Sequence, residues 1–165
     1  MSRTVLVGDP PGVLAEWLRL RKALGQDRFE EGWESDYHVA PTAHSSHGDV
    51  QGQLAALLRP VARELGLWLS GAVNIGSPED YRVPDLVVLR DRAGAVFLPT
   101  AAVVVKVVSP GDESYRKLGF YFARGVDEVL MVEPSSRTVR WLRHAEDGFE
   151  TATPGARCWV AARRH

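Results

Sequence analysis

Residues 81–110 read YRVPDLVVLRDRAGAVFLPTAAVVVKVVSP, and two apolar runs inside this stretch decide the class of fold. The first, residues 83–89, is rich in β-branched side chains and opens on Pro84-Asp85, which predicts a strand. The second, residues 101–108, contains five valines. That density is too high for a strand with one wet face, so it predicts a strand buried on both faces and central in its sheet. Lys106 stands in the middle of this run, and Ser109-Pro110-Gly111 stops it.

Working upstream, residues 67–75 predict another strand, set apart from 83–89 by Gly76-Ser77-Pro78, and the two are expected to pair as antiparallel neighbours. From Ser46 the apolar residues Val50, Leu54, Leu57, Leu58, Val61 and Leu65 recur every three or four positions, which predicts a long helix. Ser46 and Asp49 form an S-x-x-D capping pattern at its start. Pro60 lies inside it and removes one ladder bond, at about 3 kcal/mol in a helix interior, so a kink is expected there. Between residues 28 and 39 the even spacing of Trp33, Tyr37 and Val39 predicts one or two short strands before Pro41. After Asp9-Pro10-Pro11, the residues Leu14, Trp17, Leu18 and Leu24 fall near one face of a short amphipathic helix over about residues 12–24.

Downstream, Tyr115, Leu118 and Phe122 form an apolar stripe at helical spacing until Gly125 ends the helix. Strands follow near 128–132 and 139–143, while the tail from 151 onward carries no clear pattern. With no repeat or linker, the chain reads as one domain over residues 1–165. Its class is α/β (α+β), a central mixed sheet flanked by helices.

Composition narrows the chemistry. At 165 residues, 45% hydrophobic and 25% charged, the chain can hold a core without staples. Cys158 is the only cysteine, which excludes an internal disulfide and a zinc site built on several thiolates. The N-terminus has no apolar stretch of signal-peptide length and no segment approaches a membrane span, so a cytoplasmic protein that enters no membrane is expected. The formal net charge of -1 gives no global attraction to a phosphate backbone, so nucleic-acid binding would have to be local. Only three of the twenty basic residues are lysines, Lys22, Lys106 and Lys117.

Asp85 at the head of one strand, Lys106 on the next and Lys117 on the following helix stand in a suggestive order. A phosphodiesterase that uses Mg²⁺ needs carboxylates on neighbouring strands to hold the ion, and a lysine to stabilise charge or orient the attacking water. The ordinary alternative for Asp85 is a strand-start cap or turn acceptor. Helical spacing puts Lys117, Tyr121 and Arg124 on a face separate from the Tyr115-Leu118-Phe122 stripe, where they could meet a phosphate. The alternative for Lys117 is a surface pair with Glu113. His44-x-x-His47 has no evident third metal ligand and is expected to be solvated. Ser109 lacks an evident His–Asp pair, which argues against a serine nucleophile. There is no Walker loop and no G-x-G-x-x-G.

Five blocks carry a resemblance: EEGWESDYHVAP (30–41), His47 opening the long helix, YRVPDLVVL (81–89), VVVKVVSP (103–110) and ESYRKLGFYFARGVDEVLMVEP (113–134). In this order they resemble the Uma-two family of restriction endonucleases, within the PD-(D/E)XK nuclease superfamily, over roughly residues 28–143. In the last blocks Ser109-Pro110, Glu113, Lys117, Tyr121 and Gly125-Val126 all match the family's pattern. The resemblance implies a restriction endonuclease-like core. It implies Asp85 and the upstream Glu31 as metal-binding carboxylates, Lys117 as a catalytic lysine moved onto the helix, and Mg²⁺ or Mn²⁺ as cofactor.

The departure is Lys106, where the family pattern expects glutamate in an E-V-x-S-P context. Reading Lys106 as the lysine of an E-x-K motif would require an acid where the chain has Val104. Either way one carboxylate is missing. Asp85 beside a protonated Lys106 presents about zero net charge, and at 4 Å the two would attract by roughly 4 kcal/mol before desolvation. A pair with Asp85 or Glu31 is therefore expected for Lys106, the alternative being an edge position from which it snorkels to water.

The expected function is metal-dependent hydrolysis of DNA phosphodiesters, impaired at Lys106. Asp85, Lys106, Lys117 and Glu31 form the catalytic set, and Tyr121 and Arg124 contact substrate. The alternative is a catalytically silent binding or assembly module. A homodimer fits either by analogy with nucleases that cut both strands.

Overall fold

In the computed structural model the described residues are 4–8, 10–26, 29–34, 36–39, 44–92, 94–109, 111 and 113–152; Asp9, Pro41, Pro110 and Cys158 lie outside them. In chain order the elements are β1 (Thr4–Leu6), α1 (Gly12–Ala23), β2 (Glu31–Trp33), β3 (Asp36–Val39), α2 (Ser45–Glu64), β4 (Trp68–Ser70), β5 (Asn74–Gly76), β6 (Tyr81–Arg82), β7 (Leu86–Leu89), β8 (Phe97–Leu98) and β9 (Val103–Val107). A 3-10 turn over Ser114–Lys117 runs into α3 (Leu118–Ala123), and β10 (Glu128–Glu133), β11 (Thr138–His144) and β12 (Phe149–Thr151) complete the chain as described.

The strands form two mixed sheets, ordered β1-β3-β2-β6-β5-β8 and β12-β11-β10-β9-β7-β4. The valine strand β9 is interior to the second, parallel to β10 and antiparallel to β7, and Val104, Val105, Lys106 and Val107 are all buried. Its alternation serves two apolar layers. Val105 packs with Leu86 and Val132 against Val50, Leu54, Ala55 and Leu58 of α2, whereas Val104 belongs to the larger cluster with Val87, Val129, Met131, Tyr121 and Ile75. Ile75 lies in the first sheet, so this cluster joins the two sheets.

Several sequence expectations are corrected here. Residues 67–75 are two strands: β4 pairs antiparallel with β7 as expected, but β5 leaves for the other sheet and pairs with β6. Gly76 closes β5 before the turn into β6, where its φ of 128° and the 2.2 Å approach of an added Cβ to the Asp80 carbonyl leave no room for a side chain. The short strands expected before Pro41 do form, as a hairpin with Trp33 on one strand, Tyr37 on the other and Glu34 at a φ of 55° in its turn. The long helix is capped by His44 without a side-chain bond, so Ser46 and Asp49 form no capping box. Its buried stripe is narrower than the apolar pattern, leaving Leu57 and Val61 exposed. On α1, Leu14 and Leu18 are half-buried while Trp17 and Leu24 face outward. No helix among the described residues is long and apolar enough to cross a membrane.

Candidate active site

Residues 83–85 carry the chain from β6 in the first sheet to β7 in the second, and charged groups converge on this crossing. Register explains the first pair. Leu86 is opposite Val105, and the Asp85 N–H donates to the Val105 carbonyl at 3.1 Å, so Asp85 and Lys106 are the next cross-strand neighbours. Lys106 Nζ lies 2.9 Å from Asp85 Oδ2, which also accepts the Val107 N–H at 2.7 Å. The first turns of α2 close on the same residue: His47 Nε2 is 3.0 Å from Asp85 Oδ1, and Gln51 Nε2 donates to the Asp85 carbonyl at 2.7 Å.

The second pair is deeper. Glu31, fully buried on β2, accepts Lys117 Nζ at 2.7 Å, the Val83 N–H at 2.8 Å and Trp33 Nε1 at 2.9 Å. Glu31 thereby ties the hairpin, the crossing segment and the 3-10 turn together. Around it, Trp33 stacks on His38 with ring centroids 4.1 Å apart, and the Arg82 guanidinium sits between the Trp33 and Phe120 rings at 4.4 and 4.2 Å. Arg82 Nη1 donates to the Gly32 carbonyl at 2.7 Å and to Asp80 Oδ1 at 2.8 Å.

The predicted site residues divide accordingly. Asp85, Lys106, Glu31 and Lys117 gather on one crossing segment. Glu113 engages His38 at 3.0 Å and Arg116 at 2.6 Å, and Lys117 pairs with Glu31 rather than taking the alternative of a surface pair with Glu113. Both faces of the 114–124 segment pack: Lys117 and Tyr121 are buried, with Tyr121 inside the main core, and Leu118 of the expected stripe packs against the same cluster, while Tyr115 is exposed. Burial removes Tyr121 from any direct meeting with a phosphate. Arg124 remains partly exposed and reaches Asp80 at 3.3 Å.

His47, Gln51 and Arg82 were not singled out for the parts they play here. His47 is not solvated as expected but spans from Asp85 to Ser109, whose Oγ lies 3.4 Å from its Nδ1. A His–Asp pair therefore does stand beside Ser109. Its periodicity signal was only that of a polar residue at a helix start.

Asp85 is the clearest electrostatic feature. Burial opposes its ionisation, but the Lys106 charge and the bonds from His47, Lys106 and the Val107 N–H outweigh burial and hold its carboxyl well below the usual range. A carboxyl depressed on folding stabilises the protein above its unfolded pKa of about 3.9 and loses that contribution as pH falls toward the folded value. The stability gap between the wild type and Asp85→Asn, read from urea melts, is accordingly expected to be full at neutral pH and to narrow steadily below about pH 4. A gap independent of pH would contradict the ion pair.

The donor set does not fit a divalent cation. Each carboxylate already accepts at least three bonds, and each is paired with a lysine. Among the described residues no group of three His, Cys, Asp or Glu side chains could hold a metal ion. Asp85 and Glu31 thus serve as ion-pair acceptors in this arrangement.

Comparison with known proteins agrees with the architecture. The sequence matches the family described as "Uma2: Putative restriction endonuclease" over residues 16–156, a wider span than the five blocks. No curated protein sequence matches the chain. Among solved structures it is similar to a "putative nuclease belonging to DUF820" from Anabaena variabilis ATCC 29413, with a TM-score of 0.64 and 16% identity over 74% of this chain and 75% of that one. At that identity the likeness speaks for a shared fold, a restriction endonuclease-like α+β core. With the family match covering most of its length, the chain belongs to the Uma2 family of putative restriction endonucleases.

Proposed function

We propose that this chain is a restriction endonuclease-like domain directed at DNA phosphodiesters whose metal-dependent hydrolysis is impaired, because Lys106 supplies in place the positive charge that a Mg²⁺ or Mn²⁺ ion would bring. One observation carries the reading, the 2.9 Å contact between Lys106 Nζ and Asp85 Oδ2. An ammonium there satisfies the same carboxylate and cannot lower the pKa of a bound water as a metal does. The experiment is plasmid cleavage with Mg²⁺ or Mn²⁺ by the wild type, Lys106→Glu and the Lys106→Glu/Asp85→Ala pair. Gain of cleavage in the first variant and its loss in the second are expected. Cleavage by the wild type that survives Asp85→Ala would remove the site from this segment.

The neutralisation of Glu31 by Lys117 as well as Asp85 by Lys106 favours a second reading, a nuclease-fold module that binds DNA or assembles without cutting. With a net charge of -1, such binding would rest on local groups such as Arg116 and Arg124. Failure of every variant to cleave, with salt-sensitive retention of duplex DNA, would favour it.

A further inference from the structure

Ser109, His47 and Asp85 form a chain of contacts of which the nuclease reading uses only Asp85. His47 Nε2 lies 3.0 Å from Asp85 Oδ1, and Ser109 Oγ lies 3.4 Å from His47 Nδ1. The three come from separate elements. Asp85 precedes β7, His47 stands in the first turn of α2, and Ser109 lies two residues past the end of β9, whose pairing with β10 is extended by a 2.8 Å bond from the Val108 N–H to the Val132 carbonyl. Val50 and Leu54 of α2 pack on Leu86 and Val105, so the helix is fixed against both strands and the convergence is built into the core.

The partners decide where the protons sit. Against the cost of burial, Asp85 is held ionised by Lys106 and the Val107 N–H on its other oxygen, so its carboxylate only accepts. The bond to Oδ1 therefore comes from a hydrogen on His47 Nε2. In the neutral ring that leaves Nδ1 as the acceptor, and the Ser109 hydroxyl donates to it. His47 and Ser109 are only partly buried, so a small molecule can reach them. We propose that Ser109 is a nucleophile activated by His47 and oriented through Asp85, and that this face of the protein hydrolyses small carboxylic esters. This activity is independent of the nuclease reading.

Nucleophile, base and orienting acid stand in the order that acyl transfer needs, and the 3.4 Å separation of Ser109 from His47 is within the looser range usual before substrate binds. Ser109 Oγ attacks the ester carbonyl carbon while its proton passes to His47 Nδ1 and the carbonyl electron pair moves onto oxygen. On collapse the bond to the leaving alcohol breaks, and that alcohol takes the proton from Nδ1, leaving the acyl group on Ser109. Water then attacks the acyl carbon by the same route, releasing the acid and restoring the hydroxyl. The oxyanion has a partner close in sequence to His47. The N–H groups of Ser45 and Ser46 open α2 with neither a helical nor a side-chain partner, and the positive end of the helix favours negative charge there.

The test is treatment of the full chain with a fluorophosphonate, which an activated serine displaces to form a phosphonyl ester with loss of fluoride. EDTA is present throughout, so the result is separate from metal-dependent cleavage and either reading can fail alone. Peptide mapping of the wild type should place the adduct on Ser109 rather than on Ser114, which shares its tryptic peptide VVSPGDESYR. Ser109→Ala should take up no label there, and His47→Gln, with unchanged circular dichroism, should react about a hundredfold more slowly. With 4-nitrophenyl acetate, Asp85→Asn should lower kcat by about tenfold or more while KM changes by less than about threefold, as loss of a positioning residue requires. A wild type that takes up no label, an adduct elsewhere, Ser109 labelled as fast in His47→Gln as in the wild type, or an unchanged kcat in Asp85→Asn would overturn the proposal. The wild-type map decides even where a variant does not fold.

Discussion

Replacing Lys117 with methionine is expected to lower the melting temperature by roughly 6–20 °C, the equivalent of about 3–5 kcal/mol in a domain of this size. Lys117 and Glu31 are 2% and 0% exposed, so neither charge has water to fall back on. Truncating one partner leaves the other's charge buried in the junction between hairpin and crossing segment, and that desolvation dominates the loss. The Val83 N–H and Trp33 Nε1 bonds to Glu31 would remain and soften the effect. The double variant Glu31→Gln/Lys117→Met should recover part of the loss, because an amide can keep accepting while the orphaned charge is gone. Thermal melts of the two singles and the double check this. A single variant within about 1 kcal/mol of wild type would mean the pair reaches solvent.

Lys106→Glu is the second large effect, and its sign depends on divalent ions. Without them the variant puts a carboxylate against Asp85 where an ammonium stood 2.9 Å away, exchanging attraction for repulsion in a largely buried setting. A clear drop in melting temperature is expected, eased as pH falls and one carboxyl takes up a proton. With Mg²⁺ or Mn²⁺ the two acids acquire a shared counter-charge. An ion at a hundred times its Kd would return about 2.7 kcal/mol, and the wild type should show no comparable gain. Lys106→Met separates the effects, since it removes the ammonium without adding a ligand and should stay insensitive to the ion. If Lys106→Glu and Lys106→Met respond alike to Mg²⁺, the crossing segment is not where a metal would bind.

The contrast between the two ion pairs shows what a sequence can disclose. Asp85 heads one of two unmistakable apolar runs and Lys106 stands within the other, and the cost of burying a lysine alone among valines already demanded an acid nearby. Glu31 and Lys117 are 86 residues apart. Their pairing depends on the hairpin folding over the crossing segment, and nothing local to either residue specifies that. Spacing alone therefore left Lys117 its nearer candidate, Glu113, which the fold gives to His38 and Arg116. Tyr121 was misplaced for a related reason. Both stripes on the 114–124 segment contain aromatic groups, and only the packing of Tyr121 with Ile75 and Met131 shows that it turns inward as Leu118 does.

By itself the sequence determined the class of fold, the central valine strand and its stop, the long helix before the strands, and the charge conflict at Lys106. These follow from period, density and the cost of isolated charge, all local properties. Tertiary structure alone decided that residues 67–75 divide between two sheets at Gly71-Ala72-Val73, that His47 and Gln51 reach Asp85 from α2, and that Lys117 is buried with Glu31. Those outcomes hinge on which surfaces meet when the elements close on one another, and such long-range contacts leave no periodic trace along the chain.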